Sequence, residues 1–91
     1  MVQTKIVIKN KVGLHARPVS LFVQTANKFA SAIKVQNLTT SSRIVDAKSI
    51  IGILSLGVMQ NHEILLEAEG TDAADALQAI QTLIDTNFGE K

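Results

Sequence analysis

The sequence predicts an α+β fold: an antiparallel sheet of four short strands with helices packed on one face, in the order β-α-β-β-α-β-α. Two observations carry this. Apolar residues alternate at period two from Val2 to Lys9 and again from Glu63 to Glu69, as half-buried strands require. Elsewhere the apolar spacing lengthens to the i, i+3, i+4 pattern of helices with one buried stripe. Short strands interleaved with one-sided helices fit one layer of each.

Taken in order, Val2, Thr4, Ile6 and Ile8 share one face of the first strand, with Gln3, Lys5, Val7 and Lys9 on the other. Asn10-Lys11-Val12-Gly13 breaks it. From Ala16 a helical stripe runs through Val19, Phe22, Val23, Ala26, Phe29 and Ala30. Pro18 belongs in its first turn, where a missing N–H costs nothing. Leu21 falls off the stripe and is expected to be partly exposed. Ala32 to Leu38 reads as the second strand, Thr39 to Ser42 as a polar loop, and Arg43 to Asp46 as a short third strand completing a hairpin. Ser49 is an N-cap candidate for the second helix and Gly57 a plausible stop. After the fourth strand, Gly70-Thr71-Asp72 turns. Ala73, Ala76, Leu77, Ile80, Leu83, Ile84 and Phe88 then mark a long closing helix, with Thr71 or Asp72 as its cap.

The 91 residues fit a single domain, 1–91. With 46% hydrophobic residues but only three Phe and no Tyr or Trp, the core must be aliphatic. A net charge of +1 with scattered Lys and Arg argues against nucleic acid or a membrane surface as partner. There is no cysteine, so disulfides and thiolate metal sites are excluded. The N-terminal residues do not read as a signal peptide, and no apolar run reaches the ~18 residues of a spanning helix. A cytoplasmic protein is the expectation.

The candidate site is Gly13-Leu14-His15-Ala16-Arg17-Pro18, at the junction of strand and helix. A His just before a helix faces unpaired backbone N–H groups and the positive end of the helix dipole. That suits an anion on the ring, such as a phosphoryl group. Arg17 offers a fork of donors for phosphate oxygens, and Gly13 lets the turn bend. On these residues alone the turn fits either a phosphoryl site or an ordinary exposed or capping histidine. Metal binding is poorly supported, because His15 and His62 are the only histidines and no Cys joins them. No Ser-His-Asp set stands out.

The second feature is the segment after Ser49. Ile50, Ile51, Ile53, Leu54 and Leu56 fall within seven residues. One short helix cannot bury all of them. If Ile53 and Leu56 face the core, Ile50, Ile51 and Leu54 stay outside as a docking surface. The competing reading is a wholly buried helix.

With both segments in view, the chain resembles the HPr family, the histidine-containing phosphocarriers of the bacterial phosphoenolpyruvate-dependent sugar phosphotransferase system. The match rests on Gly13-Leu14-His15-Ala16-Arg17-Pro18 and on Lys48-Ser49-Ile50-Ile51-Gly52-Ile53-Leu54-Ser55-Leu56-Gly57. The resemblance implies an open-faced β-sandwich with three helices over a four-stranded antiparallel sheet. It implies that His15 accepts a phosphoryl group on Nδ1 from phosphorylated enzyme I and passes it to an enzyme IIA domain. Arg17 and the backbone N–H of Ala16 would neutralise the phosphoryl charge. Pro18, Ser20, Leu21, Ile50, Ile51 and Leu54 would form the docking surface. Ser49 would be a regulatory phosphorylation site for HPr kinase/phosphorylase, its phosphorylated form binding a catabolite-control regulator. The resemblance implies a carrier, not an enzyme. No cofactor or metal is expected, and a monomer is the expected oligomeric state.

The chain departs from many relatives in a longer loop at 39–43, and from some in lacking lysines on the exposed face of the first helix, where Gln24, Thr25 and Asn27 stand and Lys28 is the nearest charge. Two rival readings remain. One is a nitrogen-branch or purely regulatory HPr paralogue. The other is a small interaction module in which the Ile50–Leu54 patch acts and His15 is incidental. His62 is expected to be an ordinary loop residue.

Overall fold

The structure, a computed structural model, describes residues 1–11 and 13–89. Strand β1 (Val2–Val7), helix α1 (Ala16–Ala26), strands β2 (Ala32–Asn37) and β3 (Val45–Asp46), helix α2 (Ile50–Leu54), strand β4 (Glu63–Glu69) and helix α3 (Ala73–Asp85) follow one another as expected. The sheet order is β1-β4-β2-β3 and every pairing is antiparallel. The last strand in sequence is therefore inserted between the first two, with Ile6 opposite Ile64 on one side and Val35 opposite Leu66 on the other. Among the described residues, only β2 and β3 form a hairpin.

This register puts one set of alternating residues under the helices. Ile6, Ile8, Ile33, Val35, Ile64, Leu66 and Ala68 are buried. The helices meet them with Val19, Phe22, Val23 and Ala26 from α1, Ile53 from α2, and Ala73, Ala76, Leu77, Ile80 and Ile84 from α3. A one-residue slip of β4 would turn Ile64, Leu66 and Ala68 to water, so the period fixes the register. The opposite face is open and polar, as with Gln3, whose amide donates to Glu67 at 3.2 Å. The expectation of helices on one face of a four-stranded antiparallel sheet is met.

Several boundaries differ, each for a physical reason. The stripe through Phe29 and Ala30 predicts a longer first helix, but α1 ends at Ala26. The Asn27 amide donates back to the Val23 carbonyl at 3.0 Å, and the next N–H groups bond three residues back, Lys28 to Thr25 and Phe29 to Ala26. The N–H groups of Ala30 and Ser31 then donate to the Asp72 carboxylate, both at 2.9 Å. Arg43 and Ile44 do not join the third strand. Ser42 folds the loop back instead, its hydroxyl accepting the Asn37 N–H at 2.9 Å and its carbonyl accepting the Gln36 amide at 2.8 Å. Strand β1 stops at Val7 and β2 at Asn37. The closing helix stops at Asp85, and Phe88 reaches the core from a 3-10 turn, Asn87–Gly89, at a φ of +56°. Asp72 is the N-cap residue of α3, but its side chain makes no cap bond because it holds the 30–31 turn. Val12, within the expected break after β1, lies outside the described residues.

Candidate functional site

The turn between β1 and α1 is built by short contacts on both sides. The Gly13 N–H donates to the Asn10 carbonyl at 3.0 Å, and the Asn10 amide donates to the Gly13 carbonyl at 2.5 Å. Gly13 sits at φ +67°, a region that residues with a Cβ rarely adopt. A Cβ there would also press on the Val58 carbonyl and lie 2.6 Å from Met59 Cα. The Leu14 N–H donates to the same Val58 carbonyl at 3.0 Å, and the Leu14 side chain is buried. The turn is thus clamped against residues 58–59 immediately before His15.

His15 is the N-cap residue of α1, in extended conformation at φ −102° and ψ −173°. Its carbonyl accepts the Val19 N–H at 2.9 Å, starting the helix, while its side chain makes no cap bond. The ring is exposed, and so are Ala16 and Arg17 behind it. The N–H groups of a first helical turn have no intrahelical acceptor and carry the positive end of the dipole. The arrangement suits an anion held on or beside the imidazole, with the Arg17 guanidinium in the same turn.

The second segment lies where α2 packs on α1. Ser49 caps α2: its hydroxyl oxygen accepts the Gly52 N–H at 3.0 Å and its carbonyl accepts the Ile53 N–H at 3.1 Å. Ile53 and Leu56 are buried. Ile50 is 46% exposed, Ile51 81% and Leu54 42%. The helix therefore has a core side and an apolar outer side, which excludes the wholly buried alternative. Ser20 and Leu21 are half-buried, and Leu21 packs against the core edge.

Pro18 corrects the expectation. It is fully buried, with its ring in the core at the third position of α1, so it anchors the helix start and is not part of an exposed docking surface.

Sequence reasoning missed the support behind these segments. His62 is not an ordinary loop residue. Its Nδ1 accepts the Met59 N–H at 3.1 Å and lies 3.1 Å from the amide nitrogen of Asn37. Asn37 is fully buried, and its amide also donates to the Leu56 carbonyl at 3.2 Å. The segment from Leu56 to His62, which leaves α2 and carries the clamp on Gly13, is thereby tied to the end of β2. An Asn in a strand and a His before the next strand give no pattern that reveals this partnership.

Among the described residues, no group of three or more His, Cys, Asp or Glu comes together to hold a metal ion. The carboxyl of Asp72 is held below the ordinary value of 3.8, first by the Ser31 hydroxyl and then by the Ala30 N–H. That staple joins the loop after α1 to the start of α3 at a distance in sequence from His15.

These features define a small α+β protein that presents an accessible histidine at the N-terminus of one helix and an apolar outer face on the helix packed against it. The chain belongs to the HPr family of the phosphotransferase system: the family model described as the PTS HPr component phosphorylation site matches residues 2–86. It is 42% identical over 85 residues to the phosphocarrier protein HPr of Mycoplasma pneumoniae, covering 93% of this chain and 94% of that one. It is 47% identical over 83 residues to the multiphosphoryl transfer protein of Vibrio cholerae; the match takes in 91% of this chain but spans only 21% of that longer protein. Among solved structures, the crystal structure of an HPr from Thermoanaerobacter tengcongensis superposes with a TM-score of 0.92 at 52% identity, covering 100% of this chain and 99% of that one. The fold is that of the open-faced sandwich of HPr structures.

Proposed function

We propose that this chain accepts a phosphoryl group on Nδ1 of His15 from phosphorylated enzyme I and passes it to enzyme IIA domains of sugar transporters. The observation that carries the reading is the placement of His15: exposed, at the extended N-cap of α1, with its ring not used for capping. In each transfer the lone pair of the accepting nitrogen attacks phosphorus as the donor P–N bond breaks. The ring must present that lone pair at Nδ1 and keep its proton at Nε2. The N–H groups of Ala16 and Arg17 and the Arg17 guanidinium meet the charge on the phosphoryl oxygens. Partners dock on Ile50, Ile51 and Leu54 and supply desolvation and orientation. We place it in the cytoplasm as a monomer, a reading supported by the presence of both the histidine and the apolar face on one chain. No helix among the described residues is long and apolar enough to cross a membrane.

Ser49 is proposed as a regulatory phosphorylation site for an HPr kinase/phosphorylase. A phosphate there sits at a helix N-terminus, where the dipole tolerates it, and adds about −1.5 to −2 charge beside the docking face. The exposed Ile50 and Ile51 next to it also favour a second reading, in which the seryl-phosphorylated form binds a catabolite-control regulator.

The test is incubation with phosphoenolpyruvate and enzyme I, read by intact mass. The expected result is an acid-labile gain of one phosphoryl, lost in His15→Ala. Labelling that persists in His15→Ala would reject the assignment.

A further inference from the structure

Gly52 stands at the third position of α2, where glycine is disfavoured by about 1 kcal/mol relative to alanine. It is absent from the residues with positive φ, so the backbone does not require it. Capping does not require it either, because an N-cap serine commonly has a side chain three residues on, as in the capping box. What its missing side chain does is local. A Cβ at Gly52 would stand 3.1 Å from Ser49 Oγ, 3.2 Å from Ser49 Cβ and 3.4 Å from Val45 Cβ. The same residue's N–H donates to Ser49 Oγ at 3.0 Å.

We infer that Gly52 is the positioning residue for phosphorylation of Ser49: its N–H holds the hydroxyl oxygen in place, and its missing Cβ leaves that oxygen open to an incoming phosphoryl group. This rests on the reading of Ser49 given above. The donor is a nucleoside triphosphate on a protein kinase. The Ser49 O–H bond breaks, its proton passing to a base of the kinase. The Oγ–P bond forms as the bond between the γ-phosphorus and the oxygen of the nucleoside diphosphate breaks. The Gly52 N–H occupies one side of Oγ and orients the remaining lone pair outward. The nearest atoms a Cβ at Gly52 would meet belong to Ser49 and Val45, so the effect is expected in turnover and not in kinase binding.

The experiment compares the full chain with Gly52→Ala and with Gly52→Ala/Val45→Ala. The double variant relieves the 3.4 Å contact at Val45 and keeps the one at Ser49. Each is incubated with ATP and an HPr kinase, and separately with phosphoenolpyruvate and enzyme I. A shift of reacting atoms by about 1 Å can cost about a hundredfold in rate, so a crowding of a few tenths of an ångström should cost about tenfold. The expected result is a kcat for Ser49 about tenfold lower in both variants, with KM and His15 phosphorylation unchanged. Wild-type kcat in Gly52→Ala, or recovery in the double variant, overturns the inference and leaves the Ser49 reading standing. A Ser49→Ala control that is still labelled by ATP and the kinase removes that reading, and this inference with it.

Discussion

Gly13→Ala is the perturbation that tests the clamp behind His15. Two costs follow from the structure. The alanine must hold φ near +67°, a left-handed conformation that costs a residue with a Cβ roughly 1–2 kcal/mol. Its Cβ would also meet backbone, with Met59 Cα at 2.6 Å, and backbone cannot rotate aside as a side chain can. Overpacking of this kind costs about 1–3 kcal/mol. If residues 58–59 retreat, the 3.0 Å bond from Leu14 to Val58 lengthens, at a further ~1 kcal/mol. The first two costs sum to about 2–5 kcal/mol, and to about 3–6 kcal/mol if that bond is also lost, a large share of the roughly 5–15 kcal/mol typical of a domain. Urea unfolding reads the stability, and enzyme I-dependent phosphorylation, corrected for the folded fraction, reads the site. Both are expected to fall, because His15 is two residues from the displaced backbone. A variant within about 0.5 kcal/mol of wild type, the range of an innocuous surface change, would refute the clamp.

Two further outcomes follow. The Asp72 carboxyl is held below its ordinary value, so the stability it contributes is fully present above pH 3.8 and is lost as the pH falls through its lowered folded value. Acid unfolding followed by circular dichroism should therefore show a smaller loss of stability below pH 3.8 in Asp72→Asn than in wild type; equal acid sensitivity would remove the staple from the account. Ile51→Glu, at a side chain 81% exposed, should leave stability within about 0.5 kcal/mol while raising KM for enzyme I several-fold. An unchanged KM would mean that the outer face of α2 is not a docking surface.

The legible parts of this molecule are those fixed by nearby residues. Ile64, Leu66 and Ala68 announce a half-buried strand because β pleating has a period of two. Ser49 announces a cap because its hydroxyl reaches a backbone N–H only three residues away. Once Ile53 and Leu56 face the core, helical spacing leaves Ile50, Ile51 and Leu54 outside, and their exposure decides between that reading and a wholly buried helix. The His15 turn was legible as a place suited to an anion, and the pairing of two motifs pointed to the family. What stayed hidden depends on partners distant in sequence. Asp72 has the look of a cap for its own helix, yet its carboxylate serves Ala30 and Ser31, 42 and 41 residues back. Phe29 extends the stripe of α1, but that turn is taken by the distant carboxylate. His62 finds Asn37 only because β4 lies beside β2. Pro18 shows the limit of a motif: it belongs to the sequence signature, yet its ring serves the core.

The central claim is that His15 is a relay point, used by a donor and an acceptor in succession. The direct test isolates the chain after phosphorylation by enzyme I and phosphoenolpyruvate, then mixes it with an unphosphorylated enzyme IIA domain in the absence of enzyme I. The account predicts that the acid-labile phosphoryl leaves the chain and appears on the IIA domain in equal amount. A phosphoryl group that stays on the chain, or is lost only to water, with every IIA domain supplied would contradict it.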